Sequence, residues 1–373
     1  MNPTERVMAA LDFREPDRVP LFDSYWPEFG ERWRQENGLD RGDQATRHDG
    51  YAVEDADILS HYEVDIHILA ADESPWPSQA AELEHGDDYV IRRDGWGKVI
   101  REMVGGYYYD EIKMPLADKT DLDRIEFEPV SADHRYAKCL EYLERSRALA
   151  NPPCIFAKVG GPYQRTGQNL RGVEQWLVDV VDDSGFAFSL ASRVTDHLIA
   201  VGLESLRRFN CYHTGIWIYD DLAYNHGVMV GPRLYEKVFL PLMERMIQAF
   251  KAAGARKVIL HSDGDLRSVL DGLLEAGLDG INPVEPKANM DVPSLRQRYG
   301  DRLALIGGVC NTHILPGGTD EEVRQHVLRI LGAGEGGGLV IGSHSISPEI
   351  SVARYDYFVS LVREYGRYPL RLG

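Results

Sequence analysis

Val258-Ile-Leu-His-Ser-Asp-Gly-Asp265 is the stretch on which the fold turns. Three aliphatic residues follow Lys257 and run into a glycine-containing turn, the pattern of a short strand buried on both faces. His261 and Asp263 then stand at its C-terminal end. Residues i and i+2 of an extended chain point to the same side, so the imidazole and the carboxylate can converge on one ion or one substrate atom. The spacing permits a metal without demanding one. The alternative is that Asp263 caps a helix starting near Leu266 and His261 only hydrogen-bonds within the rim.

The same signature recurs along the chain. Strand-like runs are read at Val19–Asp23, Val64–Leu69, Cys154–Val159, Gly215–Asp220, Val258–His261, Gly280–Val284, Leu303–Ile306 and Leu339–Gly342, eight in all. Amphipathic helical patterns lie between them, for example Arg233–Ala253, Asp265–Ala276 and Asp320–Leu331. Strict alternation of strand and helix implies a parallel sheet, and eight such units imply an α/β fold, a single (β/α)8 TIM barrel over residues 1–373. Residues 72–130 break the rhythm. Tyr89-Val-Ile-Arg92, Trp96-Gly-Lys-Val-Ile100 and Gly106-Tyr-Tyr-Tyr109 predict an antiparallel ribbon inserted after the second strand, a lid or wall over the barrel mouth.

With 373 residues and 43% hydrophobic content the chain can bury a large core. No apolar run reaches the roughly 20 residues that span a bilayer, and the N-terminus lacks the basic-then-apolar order of a signal peptide, so a cytoplasmic location is expected. The four cysteines, Cys139, Cys154, Cys211 and Cys310, form no C-x-x-C pair, which argues against a disulfide framework. A net charge of −18 argues against nucleic acid or an anionic membrane as partner. It also disfavours a heavily carboxylated substrate unless cations cluster locally.

Barrel enzymes assemble their sites at the C-terminal ends of strands. Candidates there are Asp23, Asp65 and His67, Gly160-Gly161, Asp220-Asp221, His261 with Asp263, Asn282 and Glu285, Cys310, and Ser343-His344. Adjacent carboxylates at Asp220 and Asp221 are costly to bury without a proton, cation or donor cluster; otherwise one caps a helix near Leu222. If the barrel closes, His261, Asp263 and His344 face one another across its mouth and give three ligands with a fourth position open. Tyr25, Trp26, Trp96, Trp217 and Tyr107–Tyr109 supply aromatic surface for a flat ligand, although Trp217, inside its strand, reads as core. Gly160-Gly161 and Gly334–Gly338 lack a Walker A ending or a dinucleotide fingerprint, so no nucleotide cofactor is expected. No Gly-x-Ser-x-Gly elbow supports a serine hydrolase.

Thr4-Glu-Arg-Val-Met-Ala-Ala-Leu11, Glu15-Pro-Asp-Arg-Val-Pro20, Tyr219-Asp-Asp221, His261-Ser-Asp-Gly264, Ala276-Gly-Leu-Asp-Gly-Ile-Asn-Pro283, Gly307-Gly308 and Gly342-Ser-His344 together resemble the uroporphyrinogen decarboxylase superfamily over nearly the whole length. The resemblance implies a (β/α)8 barrel and either of two chemistries. One branch decarboxylates uroporphyrinogen without a cofactor and holds its carboxylates with an Arg-Gln-Ala-Gly-Arg motif. Here the corresponding stretch is Phe22-Asp-Ser-Tyr-Trp-Pro-Glu-Phe29, without either arginine, although Asp65 could stand for that branch's catalytic aspartate. The other branch moves methyl groups to or from corrinoid proteins with zinc bound by His-x-Cys and a later Cys. His261-x-Asp263 falls on the pair, His344 near the later Cys, and Cys310 stands where many members have Asp and is either a fourth ligand or merely a small apolar residue.

The expected function is therefore metal-assisted methyl transfer between a small methylated compound, of the methoxyaromatic kind among others, and a corrinoid supplied by a separate protein. Zn2+ would be held by His261, Asp263, His344 and optionally Cys310. Asp220, Asp221 and Asp65 are the catalytic candidates, and Asp23, Tyr25, Trp26, Asn282 and Glu285 the substrate-binding ones. Decarboxylation of a tetrapyrrole or smaller acid, and a non-catalytic binding subunit, are the alternatives. A homodimer is compatible with a barrel of this size.

Overall fold

The computed structural model describes residues 1–39, 56–104 and 109–372. In chain order its strands are β1 (Ile66–Ala70), β2 (Ala81–His85), β3 (Tyr89–Arg93), β4 (Val99–Met103), β5 (Tyr109–Lys113), β6 (Cys154–Gly160), β7 (Gly215–Tyr219), β8 (Ala223–Tyr224), β9 (Gly227–Val228), β10 (Lys257–His261), β11 (Gly280–Asn282), β12 (Ala304–Gly308) and β13 (Leu339–Gly342). Seven of them, in the order β1-β6-β7-β10-β11-β12-β13, form one parallel sheet. These seven coincide with seven of the runs expected from sequence, shifted by a residue or two at their ends.

The eighth run, Val19–Asp23, is not a regular strand. It makes only an isolated parallel bridge, Leu21 to Ile341. Its hydrogen bonds nevertheless reach both outer strands of the sheet. Phe22 N donates to Ile341 O at 3.0 Å and Ile341 N to Pro20 O at 2.9 Å, while Asp65 N, just before β1, donates to Leu21 O at 2.9 Å. Pro20 has no N–H to extend a ladder, which keeps the pairing short. The segment also lies very close to β13: a Cβ on Gly342 would sit 1.8 Å from Phe22 O, so only glycine allows the approach.

Phe22, Phe156 and Trp217 meet inside the curved sheet, with ring centroids 5.0 Å apart for Phe22–Trp217 and 6.2 Å for Phe156–Trp217. Trp217 is fully buried, as its place within an apolar strand predicted. Helices cover the outside. The longest, Ser184–Phe209, starts where Asp183 accepts from Phe186 N and stops at Asn210, which turns left-handed. The expected helix over Arg233–Ala253 is two helices, Pro232–Val238 and Leu240–Ala252, broken at Phe239 ahead of Pro241. The one expected over Asp265–Ala276 shrinks to Leu270–Glu275.

Between β1 and β6 the chain forms a separate antiparallel sheet in the order β2-β3-β4-β5. Of the third expected ribbon run, Tyr109 opens β5, and Gly106–Tyr108 lie outside the described residues, as does Gly105. The outer strands β2 and β5 are exposed along their length, whereas Trp96, Lys98 and Ile100 turn inward.

At the N-terminal end of β1, Asp65 is 1% exposed and bound by two arginines. Arg6 Nη1 lies 2.7 Å from its Oδ1 and Arg18 Nη1 2.7 Å from its Oδ2, with Leu21 N at 2.8 Å. This corrects the expectation of a catalytic Asp65: it sits at the opposite end of the sheet from the strand C-termini and ties the first helix to the Val19–Asp23 segment. Removing one partner of such a group strands the others. Asp65→Ala is expected to destabilise the fold by about 3 kcal/mol in urea denaturation, the range for breaking a buried pair. A loss below about 1 kcal/mol would show that water solvates the arginines adequately.

Candidate active site

The parallel register sets three side chains abreast at the strand ends. His261, last in β10, pairs with Tyr219 of β7 on one side and with Asn282 of β11 on the other. The His261 ring stacks on Tyr219 at 4.0 Å between centroids and 8° between planes. Its Nδ1 lies 2.6 Å from Asn282 Oδ1. Asn282 Nδ2 donates to Ile306 O at 3.2 Å, so Oδ1 is the atom turned to the imidazole and His261 Nδ1 carries the proton. That leaves Nε2 as the acceptor.

Asp263 follows two residues later, and His344 two residues beyond β13. Asp263 Oδ1 is 3.2 Å from His344 Nε2 and 3.8 Å from His261 Nε2. The ligating atoms of His261, Asp263 and His344 all lie within 4.8 Å of one another. Behind them, His344 Nδ1 is 3.3 Å from Glu285 Oε1, and Glu285 Oε2 accepts from Gly264 N at 3.0 Å. Asn282 and Glu285, expected to touch substrate, instead stand against the Nδ1 atoms of the two imidazoles.

Burial and charge divide the protons among these groups. Burial lowers the His261 pKa to about 4, with the Asp221 carboxylate opposing and the positive charges of His344 and Lys158 adding. Burial likewise lifts Asp263 to about 6, against the pull of His344. In Glu285 the hydrogen bond from His344 and the Gly264 N–H outweigh burial and bring it to about 2. His344 is raised: burial lowers it, but Glu285 and Asp263 prevail. The cluster thus keeps His261 neutral and gathers positive charge at His344. Asp263 Oδ1 is buried and faces only the His344 and His261 rings, while Glu285 Oε1 is met by His344 Nδ1 at 3.3 Å and by Lys287 Nζ at 3.1 Å. Such oxygens are costly unless a cation or proton faces them. His261 Nε2 and the Asp263 carboxylate, joined by His344 Nε2 once a cation displaces its proton, form a donor set for a divalent metal with further positions open.

The other expected site residues fall around this cluster. Asp221 Oδ2 accepts from Gln164 Nε2 at 2.7 Å and Oδ1 from Asp263 N at 3.2 Å, which fixes the loop that carries Asp263. Asp220 points the other way, fully buried, and accepts from Tyr163 N at 3.2 Å and Gln164 N at 2.6 Å. Burial raises it to about 7 despite those donors, with Asp221 adding to the rise. A Cβ on Gly161 would come within 2.2 Å of the Asp220 side chain, so Gly161 makes room for a carboxylate and not for a phosphate.

Asp23 is fully buried. It accepts from Ser343 N and Ser343 Oγ, each at 2.7 Å, and from Tyr355 Oη at 3.0 Å, and so anchors the residue preceding His344. It is not placed to touch substrate. Tyr25 joins the same network through the Tyr355 hydroxyl at 2.9 Å and stacks on Phe29 and Tyr62. Trp26 Nε1 donates to Ser345 Oγ at 3.1 Å, beside His344. Cys310 Sγ lies 3.4 Å from Thr312 Oγ1, and its N–H meets His326 Nε2 at 3.1 Å; it is not among the converging ligands. His67 is buried against Tyr142 Oη at 2.7 Å, within β1.

Two residues at the site carried a signal that sequence reasoning passed over. Lys158 is a lone charge inside the apolar strand Cys154–Gly160, and its Nζ lies 3.7 Å from the Tyr219 ring centroid. Tyr219 itself precedes the two aspartates and supports His261.

Residues 108–365 match the family described as Uroporphyrinogen decarboxylase (URO-D). No curated protein matches the sequence. Among solved structures, one titled methyltransferase from Methanosarcina mazei aligns with a TM-score of 0.67 at 15% identity over 98% of this chain and 99% of that one. A B12-independent methionine synthase from Shewanella sp. W3-18-1 in complex with selenomethionine aligns with a TM-score of 0.42 at 13% identity, over 82% of each chain. The first likeness shows a shared fold.

The Asp23 anchor has a pH signature. Burial lifts its pKa from 3.8 to about 6, against the Ser343 and Tyr355 donors. Because the folded value lies above the unfolded one, its contribution is fully present below pH 3.8 and is lost as pH rises through 6. Asp23→Asn removes that loss. Relative to the parent, the variant should gain about 2 kcal/mol between pH 4 and pH 8 in denaturant titrations. A pH-independent difference would mean that Asp23 stays ionised throughout.

Proposed function

This chain belongs to the uroporphyrinogen decarboxylase (URO-D) family, and from that premise we propose that it is a metal-assisted methyltransferase, moving a methyl group between a small methylated, methoxyaromatic-type compound and a corrinoid carried by a separate protein. The observation that carries this reading is the convergence of His261 Nε2, Asp263 Oδ1 and His344 Nε2, with Asp263 Oδ1 buried and undonated. The fold shared with the Methanosarcina mazei methyltransferase supports the reaction class. In the same reading Val19–Asp23 serves as the eighth strand that closes the barrel, and the β2–β5 sheet as a wall over its mouth.

The residues present fit a divalent metal. His261, Asp263 and His344 would be the ligands, and Asn282 and Glu285 hold the two imidazoles from behind, as outer partners of metal-bound histidines do. The chemistry such an ion would supply, Zn2+ being the metal proposed, is Lewis acidity toward an oxygen that gains negative charge. Tyr219, flat against His261, keeps that ring from rotating. Asp221 and Gln164 fix the Asp263 loop, and Asp220 secures the turn at Gly161 beneath them. These two aspartates therefore act as positioning residues. The decarboxylase reading is weakened, since Asp65 is engaged by Arg6 and Arg18 at the far end of the sheet.

Metal analysis of the purified protein tests the proposal. About one zinc per chain is expected, lost in His261→Ala and in His344→Ala. Asn282→Ala keeps all three ligands and should weaken zinc binding by roughly 10- to 100-fold. Methyl transfer to a corrinoid acceptor should vanish on chelation and return with zinc. A protein that takes up no metal even after zinc addition would overturn the mechanism.

A further inference from the structure

A cavity of about 700 Å³ lies between the β2–β5 sheet and the C-terminal ends of β1 and β6. Among the described residues, six cationic side chains and four carboxylates line it, although the chain as a whole carries −18. All four carboxylates are engaged: Asp94 Oδ1 accepts from Trp96 N at 3.0 Å and Lys98 N at 2.9 Å, and Glu82 Oε1 lies 3.2 Å from His85 Nδ1. Glu73 meets Arg165 Nε at 2.5 Å and Gly160 N at 2.6 Å, and Asp72 Oδ1 accepts from Ser74 N at 2.9 Å and Ser74 Oγ at 2.6 Å. The lining by itself holds six cations against four carboxylates, with Glu102 meeting Arg92 and Glu111 meeting Lys98 from outside it.

Lys98 is the clearest sign of what enters. Its side chain is 3% exposed, yet its ammonium donates to a neutral phenol, Tyr109 Oη at 2.8 Å, and the Glu111 carboxylate is at 3.5 Å on exposed β5. An ammonium taken out of water is costly unless an anion meets it closely. Trp96, Val90 and Ile100 add apolar surface to the same cavity. Its inner end reaches Lys158, whose Nζ sits 3.7 Å from the Tyr219 ring, and that ring stacks at 4.0 Å on His261. The cavity thus stops one aromatic ring short of the candidate metal ligands.

We propose that this cavity binds the anionic end of the small-molecule substrate, an organic carboxylate with an apolar body, through Lys98 and Lys158, with the reacting end directed toward His261. A carboxylate suits the wall because the wall's own pairs, Arg165 with Glu73 and Arg92 with Glu102, are guanidinium–carboxylate contacts. The proposal deepens the methyl-transfer reading but does not use its chemistry. Ligand binding without turnover would leave this site standing and remove that reaction, and turnover without charge preference would do the reverse.

The test is calorimetric titration of the full chain with benzoate, its neutral isostere benzamide, and inorganic phosphate. Benzoate should bind saturably, with benzamide and phosphate at least about tenfold weaker. Lys98→Met and Lys158→Met should each weaken benzoate by about tenfold or more. Lys98→Arg should retain binding, and Lys237→Met, which removes the same charge from an exposed site, should change nothing. Thermal melts of each variant check that the fold is intact. Equal binding of benzamide, tighter binding of phosphate, no binding of benzoate, or folded lysine variants with unchanged affinity would overturn the proposal.

Discussion

Hydrogen bonds between parallel strands hold β7, β10 and β11 in one register, and the chemistry at the strand ends depends on it. Tyr219, His261 and Asn282 stand abreast because Leu260 pairs with both Ile218 and Ile281 one step earlier. A slip of one residue would turn His261 to the opposite face, and Asp263 with it. The apolar run Val258–Leu260, fully buried, prevents that slip, since it would bring a polar side chain into the core. The packing of three aliphatic residues thereby determines where an imidazole nitrogen points.

The cluster at the strand ends sets carboxylate oxygens against two imidazoles without aligned hydrogen bonds to Asp263 Oδ1. Asp263 presents a buried oxygen to His344 without a hydrogen-bond donor aligned on it, Glu285 is shared between His344 and Lys287, and burial keeps His261 neutral. At the other end of the sheet, Asp65 is as deeply buried but fully compensated by Arg6, Arg18 and Leu21 N. The contrast separates two uses of a buried carboxylate. A compensated one fastens elements together, and an uncompensated one is a place where a cation is stabilised.

Around the cluster, several carboxylates work at one remove. Asp23 holds Ser343, Asp221 holds the Asp263 backbone, and Asp220 holds the turn after β6. Each fixes a loop that bears or supports a candidate ligand, so the ligands are set by hydrogen bonds to rigid strands and not by loop conformation alone. Gly342 and Gly161 contribute by lacking a side chain, one beside Phe22 O and the other beside Asp220.

By itself the sequence determined the alternation of strand and helix, the antiparallel insertion, and the set His261, Asp263 and His344, because strand period and strand ends are local properties of the chain. Trp217 as core was legible for the same reason. Only the tertiary structure decided that Val19–Asp23 pairs through a single isolated bridge, that Asp65 belongs to the end away from the strand C-termini, and that Asn282 and Glu285 back the histidines. It alone also brought Lys158, in β6, and Lys98, in the turn just before β4, to one cavity. Partners of this kind are chosen by sheet register and by contacts between residues far apart in sequence. A residue's type and neighbours state what it can bond, and the fold states which bond it makes.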